Sequence, residues 1–311
     1  MALPRTLTGT LLVAGAAGLW GFNGTVARLV MDAGLPPARL AEGRIALAAL
    51  LLIAWLVCRD RPALRLTWRD AAAYSVFGVL GLVGVQWFYF EAINRIPIGI
   101  SLVIEYSAPL LVALWVRFVW GRRLPWQAWL ALPVAMLGLA LVLGVFDGTS
   151  RALSGVGIAF SVAASLSYAY YALHAERLTL RRSPVAVLGI GLSFGTIALS
   201  VAFPWWSFPW ADLSGSSDGF GIELPLWGLF LWVVVLGTVV PFAMLLAGVK
   251  RVGADGATVT AMIEPIVAGA IAWALLSQAL SLSEMVGGLI VLAAVAFAQI
   301  SRARAETTYP T

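Results

Sequence analysis

The sequence predicts an all-α integral membrane protein of ten transmembrane helices, arranged as two inverted five-helix repeats. Three observations carry that expectation. Apolar stretches of about 20 residues recur along the chain, enough to cross a hydrocarbon core roughly 30 Å thick. The second half repeats the first: VLGLVGV at 79–85 matches VLGTVVP at 235–241, so that an offset of 156 pairs Leu80 with Leu236, Gly81 with Gly237 and Val83 with Val239. The same offset pairs Arg95 with Arg251, Pro109 with Pro265 and Leu124 with Leu280. Basic residues fall almost entirely on one side of the expected bilayer, which fixes direction.

Composition names the solvent. Of 311 residues, 61% are hydrophobic and only 11% charged, with a mean hydropathy of +0.93. A soluble domain carries roughly 25% charged residues, so this chain is solvated by lipid. The pI near 9.8 comes from basic residues in short connecting segments; it marks topology, and no nucleic-acid surface is expected. A single cysteine, Cys58, excludes an intrachain disulfide, and with a single histidine, His174, it leaves no usual metal set. No metal and no cofactor is expected.

The spans are expected near 7–30, 38–57, 71–93, 98–119, 125–146, 153–174, 184–204, 224–249, 256–276 and 283–301. Met1–Pro4 followed by Arg5 and an apolar run imitates a signal peptide, but the run continues to Val30 and recurs at 153–174, so it is kept as the first helix. Turn and charge signals separate the rest: Pro36-Pro37, Arg59-Asp60-Arg61-Pro62, Pro97, Arg122-Arg123, Asp147-Gly148, Arg181-Arg182-Ser183-Pro184 and Lys250-Arg251. Early in the chain the repeat offset is 147, pairing Ala16-Ala17 with Ala163-Ala164 and Leu19 with Leu166. The nine-residue difference has a home in the polar loop 212–223. The domains are therefore residues 1–147 and 148–301, followed by a short tail, 302–311.

With the N-terminus in the cytoplasm, the inner segments collect Arg5, Arg59, Arg61, Arg65, Arg69, Arg122, Arg123, Arg177, Arg181, Arg182, Lys250, Arg251, Arg302 and Arg304. Only Arg28, Arg39, Arg95 and Arg151 fall outside, and Arg44 and Arg117 lie within spans. Fourteen against four places both termini in the cytoplasm of a multi-pass protein of a bacterial inner membrane. Trp205, Trp206 and Trp210 belong to the outer aromatic belt.

Charges inside spans are expensive and default to function. Glu105 and Glu264 lie in the fourth and ninth spans, which are repeat partners. Glu105 shifted by 156 lands on Ala261, one turn before Glu264, so both carboxylates face one cavity. Each is either a substrate or proton site or a structural group, with Arg44 the partner to expect for Glu105. Pro109 and Pro265 each remove a backbone hydrogen bond near mid-helix, giving a hinge, a freed carbonyl or a packing kink. Gly15, Gly18, Gly21 and Gly24 read as a packing stripe on the first helix. Trp20 and Asn23 share another of its faces, and Asn23 is expected inside because a lipid-facing amide is costly. Gln86 and Tyr89, and Tyr168 and Tyr171, add polar-tipped groups at i, i+3, where an aromatic ligand stacks for about 0.5–1.5 kcal/mol per ring; taken singly, each fits plain packing or an interfacial belt at least as well.

Several segments resemble the drug/metabolite transporter superfamily in its ten-helix EamA-type branch. They are Leu19-Trp20-Gly21-Phe22-Asn23, LPPARLAEGR ending at Arg44, AINRIPIGISLVIEYSAPLLVAL at 92–114 and AGVKRVGADGATVTAMIEPIVAGA at 247–270. The chain departs from that family's frequent Gly-Glu after helices 4 and 9, having Gly121-Arg122 and Ser277-Gln278. Within the branch it looks most like bacterial exporters of aromatic amino acids. The resemblance implies a secondary transporter that exports amino acids and related small metabolites by alternating access. The bilayer and the small-molecule substrate are its partners, with no obligate protein partner. The alternative is a multidrug or nucleotide-sugar-like metabolite carrier on the same fold.

Other classes fit less well. Gly191-Leu192-Ser193-Phe194-Gly195 matches G-x-S-x-G, and His174 invites a protease reading, but that motif needs a strand-to-helix elbow and this one lies within an expected helix. Ser154-Gly155-Val156-Gly157 lacks the context of a phosphate loop. An open channel should show rings of charge. The expected protein is not an enzyme.

Overall fold

A computed structural model describes residues 5–93, 95, 96, 98–145, 154–219, 222–276 and 281–308. Lipid allows no unpaired backbone, so an apolar chain satisfies its N–H and C=O groups within helices. Helix accordingly follows helix: α1 (Arg5–Asp32), α2 (Pro37–Arg59), α3 (Trp68–Val76), α4 (Gly84–Ile93), α5 (Ile98–Glu105), α6 (Ala108–Phe118) and α7 (Trp126–Val142). After them come α8 (Gly155–Arg181), α9 (Pro184–Ala202), α10 (Leu226–Val234), α11 (Val240–Ala261), α12 (Glu264–Leu276) and α13 (Leu282–Thr308). Short side chains start several of them. Thr67 and Asp70 form a reciprocal capping box at α3, with both bonds 3.2 Å, while Ser154 and Ser183 accept the Gly157 and Ala186 N–H groups at 3.3 Å.

Among the described residues, seven helical runs are long and apolar enough to cross a membrane: Arg5–Asp32, Ala38–Arg59, Trp68–Tyr89, Ile100–Phe118, Gly155–Arg181, Pro184–Val201 and Leu226–Ala261. Trp126–Val142 and Leu282–Ala298 are shorter apolar helices. The long run ending at Ala261 is two helices end to end, because Gly253 has φ 76° and ψ 168° and breaks the α-helical path. The exterior is apolar: Val201 is 86% exposed and Phe118 75%. Faces of that kind suit hydrocarbon and would aggregate in water.

Two regular helices are interrupted at matching places. A π-helical turn, Phe77–Val83, joins α3 to α4, and another, Val235–Val239, joins α10 to α11. These are the two segments whose sequences repeat. Each is pressed by the helix that opens the other half of the chain: α8 lies against 77–83 and α1 against 235–239, while α1 also runs along α11 and α4 along α8. At the second crossing the backbone of Gly237 meets Asn23. A Cβ built on Gly237 would lie 1.9 Å from Asn23 Oδ1, so a larger residue there requires the buried Asn23 side chain to move. At the first, a Cβ on Gly78 would lie 2.2 Å from the Gly191 carbonyl oxygen of α9.

Several expectations change. The polar insertion 212–223 is not a plain loop. Short 3-10 turns at Trp205–Ser207 and Trp210–Ser214 lead into a two-stranded antiparallel hairpin, β1 (Ser216–Gly219) and β2 (Ile222–Pro225), with Ser216 opposite Pro225. The expected tail is helical as far as Thr308, and the expected span 153–174 extends to Arg181. The glycine stripe of α1 is only half a packing stripe. Gly15 and Gly21 abut Met244 and Ala268, whereas added Cβ atoms on Gly18 and Gly24 would meet nothing within 4 Å. The expected breaks at Pro97 and Asp147-Gly148, the boundary between the two expected domains, Arg151, Ser277-Gln278 and Leu280 lie outside the described residues.

Replacing Gly237 with alanine is expected to destabilise the fold by about 1–3 kcal/mol, as overpacking does. Thermal unfolding of the detergent-solubilised protein reads this as a lower melting temperature, and adding Asn23→Ala should restore part of the loss. A G237A protein that melts like the parent would contradict the observed crossing.

Candidate functional site

The site begins where two helices stop. α5 ends at Glu105, residues 106 and 107 form a turn, and α6 starts at Ala108 with Pro109 in its first turn. α11 ends at Ala261, 262 and 263 form a turn, and α12 starts at Glu264 with Pro265 second. The Met262 and Ile263 N–H groups bond three residues back, to Val259 and Thr260 carbonyls at 3.2 and 3.3 Å. Proline fits a first helical turn, where its missing N–H is an orphan anyway. The expected kinks in continuous helices are thus breaks into half-helices, and the prolines sit just past them.

The breaks bring the two glutamates together. Tyr106, in the first turn, donates its hydroxyl to Glu264 Oε2 at 2.9 Å. Glu105 and Glu264 act on each other electrostatically, and both act on Tyr89 of α4 and Tyr168 of α8. Among the described residues no basic side chain is paired with either carboxylate. The expected Glu105–Arg44 pair does not form; Glu105 Oε2 and Arg44 Nε are both buried without a hydrogen-bond partner. The break in the fourth span is moored to α8 by serines: Ser161 donates to Ser101 at 3.0 Å, and Ser107 and Ser165 hydroxyls lie 3.0 Å apart.

An aromatic ladder leads away from the carboxylates. Tyr168 stacks with Tyr171 at 6.4 Å, Tyr171 meets Phe242 edge-on at 6.0 Å, and Phe242 meets Trp20 at 5.0 Å. Phe77 of the first π turn stacks on Tyr171 at 5.5 Å. Trp20 Nε1 donates to the Gly237 carbonyl of the second π turn at 3.2 Å. Asn23 and Gln86 are each 7% exposed, as expected for inward-facing amides, and Gln86 Nε2 donates to Leu82 O at 2.9 Å. The carbonyl oxygens of both amides and the Tyr171 hydroxyl are buried without partners.

The structure therefore gathers Tyr89, Glu105, Tyr168 and Glu264 directly, joins Tyr171 through its ring, and connects Trp20 and Asn23 through the second π turn. Gln86 lies three residues from Tyr89 on α4. Sequence reasoning placed Ser101 on the face of Glu105 but missed Tyr106, Phe242, Ser107, Ser161 and Ser165. Ser161, Ser165 and Tyr168 recur at i, i+4 and i+7, a polar stripe that was readable; nothing in the sequence pointed to Tyr106.

At the end of α8 a second cluster closes around Glu176. Its Oε1 accepts from Arg122 in an ion pair, and its Oε2 accepts the Ala254 N–H at 2.7 Å. Ala254 opens the helix after Gly253, so the carboxylate caps a helix N-terminus, where negative charge is favoured. The Arg122 and Arg177 guanidinium groups lie 4.7 and 4.8 Å from the Trp120 ring centre. Arg122 thus supplies the cationic half of a contact joining three elements.

No group of three or more His, Cys, Asp or Glu residues able to hold a metal is present among the described residues. Ser193 lies in mid-helix and donates to Gly189 O at 2.8 Å, and His174 Nδ1 lies 3.0 Å from Tyr170 O, so the elbow of a G-x-S-x-G nucleophile is not there. A separate apolar cleft of about 310 Å³, beside the hairpin between Phe22, Leu229 and Trp232, shares no residue with the glutamate cluster.

A helical membrane protein whose broken helices bring buried charges together at its centre has the build of a solute carrier. The chain belongs to the EamA-like transporter family, which it matches over residues 7–144 and again over 155–299. It is 24% identical over 305 residues to YicL of Salmonella typhimurium, an uncharacterized inner membrane transporter, covering 97% of this chain and 98% of that one. It is 26% identical over 217 residues to the threonine/homoserine exporter RhtA of Escherichia coli, covering 67% of this chain and 63% of that one. A solved crystal structure superposes with a TM-score of 0.75 over 96% of this chain and 98% of the other; at 20% identity this shows a shared fold.

Replacing Glu176 with alanine removes the ion pair and the helix cap together and is expected to cost about 2 kcal/mol. The exposed Arg123→Ala should stay within about 0.5 kcal/mol of the parent. Melting temperatures of the two variants, compared in one detergent, check both expectations.

Proposed function

We propose that this EamA-family protein is a secondary transporter that exports amino acids and related small metabolites, aromatic ones favoured, across a bacterial inner membrane. The observation that carries the reading is the meeting of Glu105 and Glu264 at two helix breaks, inside a group of tyrosines. Irregular backbone at membrane depth is tolerated only where protein or a cavity surrounds it, so breaks at matching places of the two halves suit a substrate site. The glutamates take the substrate's polar head; Trp20, Tyr89, Tyr168 and Tyr171 contact its apolar part, and Asn23 and Gln86 offer carbonyl oxygens. The threonine/homoserine exporter among the relatives supports an amino-acid cargo.

In this reading the chain has ten spans in two inverted repeats, 1–147 and 148–301, with both termini in the cytoplasm. The family's double match and the paired π turns support the repeat. Arg122, Glu176 and Ala254 then lie at the cytoplasmic end of the site and hold it shut. Alternating access is rocking of helix bundles about the breaks beside Pro109 and Pro265, with release of the Glu176 contacts when the inner side opens. The second reading is a multidrug-type metabolite carrier. Phosphorylated cargo is disfavoured because no basic side chain pairs with the glutamates among the described residues.

Counterflow of labelled phenylalanine and tryptophan into proteoliposomes tests this. Uptake should require unlabelled substrate inside, and Glu105→Gln and Glu264→Gln should each lower it about tenfold or more, the loss of one charged hydrogen bond. Tyr106→Phe should lower it by less. Unchanged rates in both glutamine variants would show that the carboxylates do not serve transport, and absence of uptake of either amino acid would favour the second reading.

A further inference from the structure

The polar atoms that the site leaves unsatisfied are mostly of one kind. Glu105 Oε2, Asn23 Oδ1 and Gln86 Oε1 are buried without hydrogen-bond partners, and all three are acceptors when Glu105 is a carboxylate. The fourth such atom near them, the hydroxyl of Tyr171, can accept as well, and that residue is only 2% exposed. Tyr171 is tied to the carboxylates through Tyr168, on which it stacks and which both glutamates act upon. Glu264 receives a hydrogen bond from Tyr106.

The two span cations pair with neither glutamate. Arg44 forms no ion pair with either glutamate, and Arg117 is exposed on α6. Two carboxylates among tyrosines form a receptor for positive charge through direct pairing. A substrate carboxylate brought beside them would meet like charge in a poorly hydrated site, where repulsion is strong.

We infer that the site recognises the ammonium group of its substrate ahead of its carboxylate, so that amines with an aromatic body are bound in preference to the matching amino acids. This rests on the glutamate cluster being the substrate site. It deepens that reading by dividing its cargo: decarboxylated or carboxyl-blocked aromatic amino compounds come first, free amino acids second and aromatic carboxylic acids last. A substrate of that first kind is supplied by a decarboxylation or amidation step.

The test is equilibrium binding of tryptamine, L-tryptophan and indole-3-propionate to the purified full-length protein in lipid nanodiscs. These three share the indole body and differ in ammonium and carboxylate. Tryptamine should bind about tenfold or more tighter than tryptophan, a difference of about 1.4 kcal/mol, and indole-3-propionate weakest. Glu105→Gln and Glu264→Gln should each erase the preference for tryptamine without weakening indole-3-propionate. The ranking in the unmodified protein stands without the variants, should one of them fail to fold. Tryptophan binding as tightly as tryptamine overturns the inference, and so does failure of tryptamine to bind. Counterflow of the same compounds separates the two levels: tryptophan exchange without an amine preference sinks the inference and keeps the transporter, whereas amine binding without any exchange does the reverse.

Discussion

Hydrocarbon offers no hydrogen bonds, and that single constraint orders the whole molecule. A chain with so few charged residues satisfies its backbone by forming helices, and it departs from them only where neighbouring protein surrounds the departure. Four departures matter. The turns at 106–107 and 262–263 end two helices in mid-course, and the π turns at 77–83 and 235–239 widen two others. Each is packed against a helix from the other half of the chain or moored to it by side chains, so the irregular backbone is enclosed. The ends of the first pair carry the glutamates, and the second pair frames the aromatic ladder that leads to them.

Packing and chemistry are joined by small residues. Gly237 lets Asn23 and Trp20 approach the second π turn, and Gly191 admits the first π turn to α9. The serine pairs between α5–α6 and α8 fix the fourth span's break without adding charge, which leaves the carboxylates as the dominant polar groups of the site. At the far end of α8 the design is different. There Glu176 is saturated by Arg122 and by a helix N-terminus, and its bonds cross between elements that any opening of that end would have to separate. The glutamate cluster keeps acceptors without partners, whereas both Glu176 oxygens are bonded.

Much of the fold was legible because lipid solvation writes long apolar runs into the sequence, and turn residues and arginines punctuate them. The two glutamates were legible because a charge in such a run is rare. The π turns were not, since VLGLV and VLGTV contain no residue that favours an extra residue in the hydrogen-bonded ring; only their repetition marked them. Pro109 and Pro265 located the breaks to within a turn but suggested kinked helices, because a proline reads the same inside a helix and at the start of one. Tyr106 was invisible for the same reason: counting along a continuous helix puts it off the face of Glu105, whereas the turn swings it onto Glu264. Arg122 and Glu176 are 54 residues apart, and no local pattern announces that pair. The hairpin at 216–225 was hidden by its serine and glycine content, which reads as loop.

The most direct measurement is of the contact between the two helix breaks. Tyr106 and Glu264 can each be replaced by cysteine in a Cys58→Ser background, with a protease site inserted in the hairpin between β1 and β2. A short bifunctional thiol reagent applied in native membranes should then hold the two halves together after cleavage, while a Phe118→Cys, Glu264→Cys pair, with its first thiol facing lipid, should not. Fragments that separate as completely for the first pair as for the second would contradict the meeting of the two breaks, and with it the site built upon them.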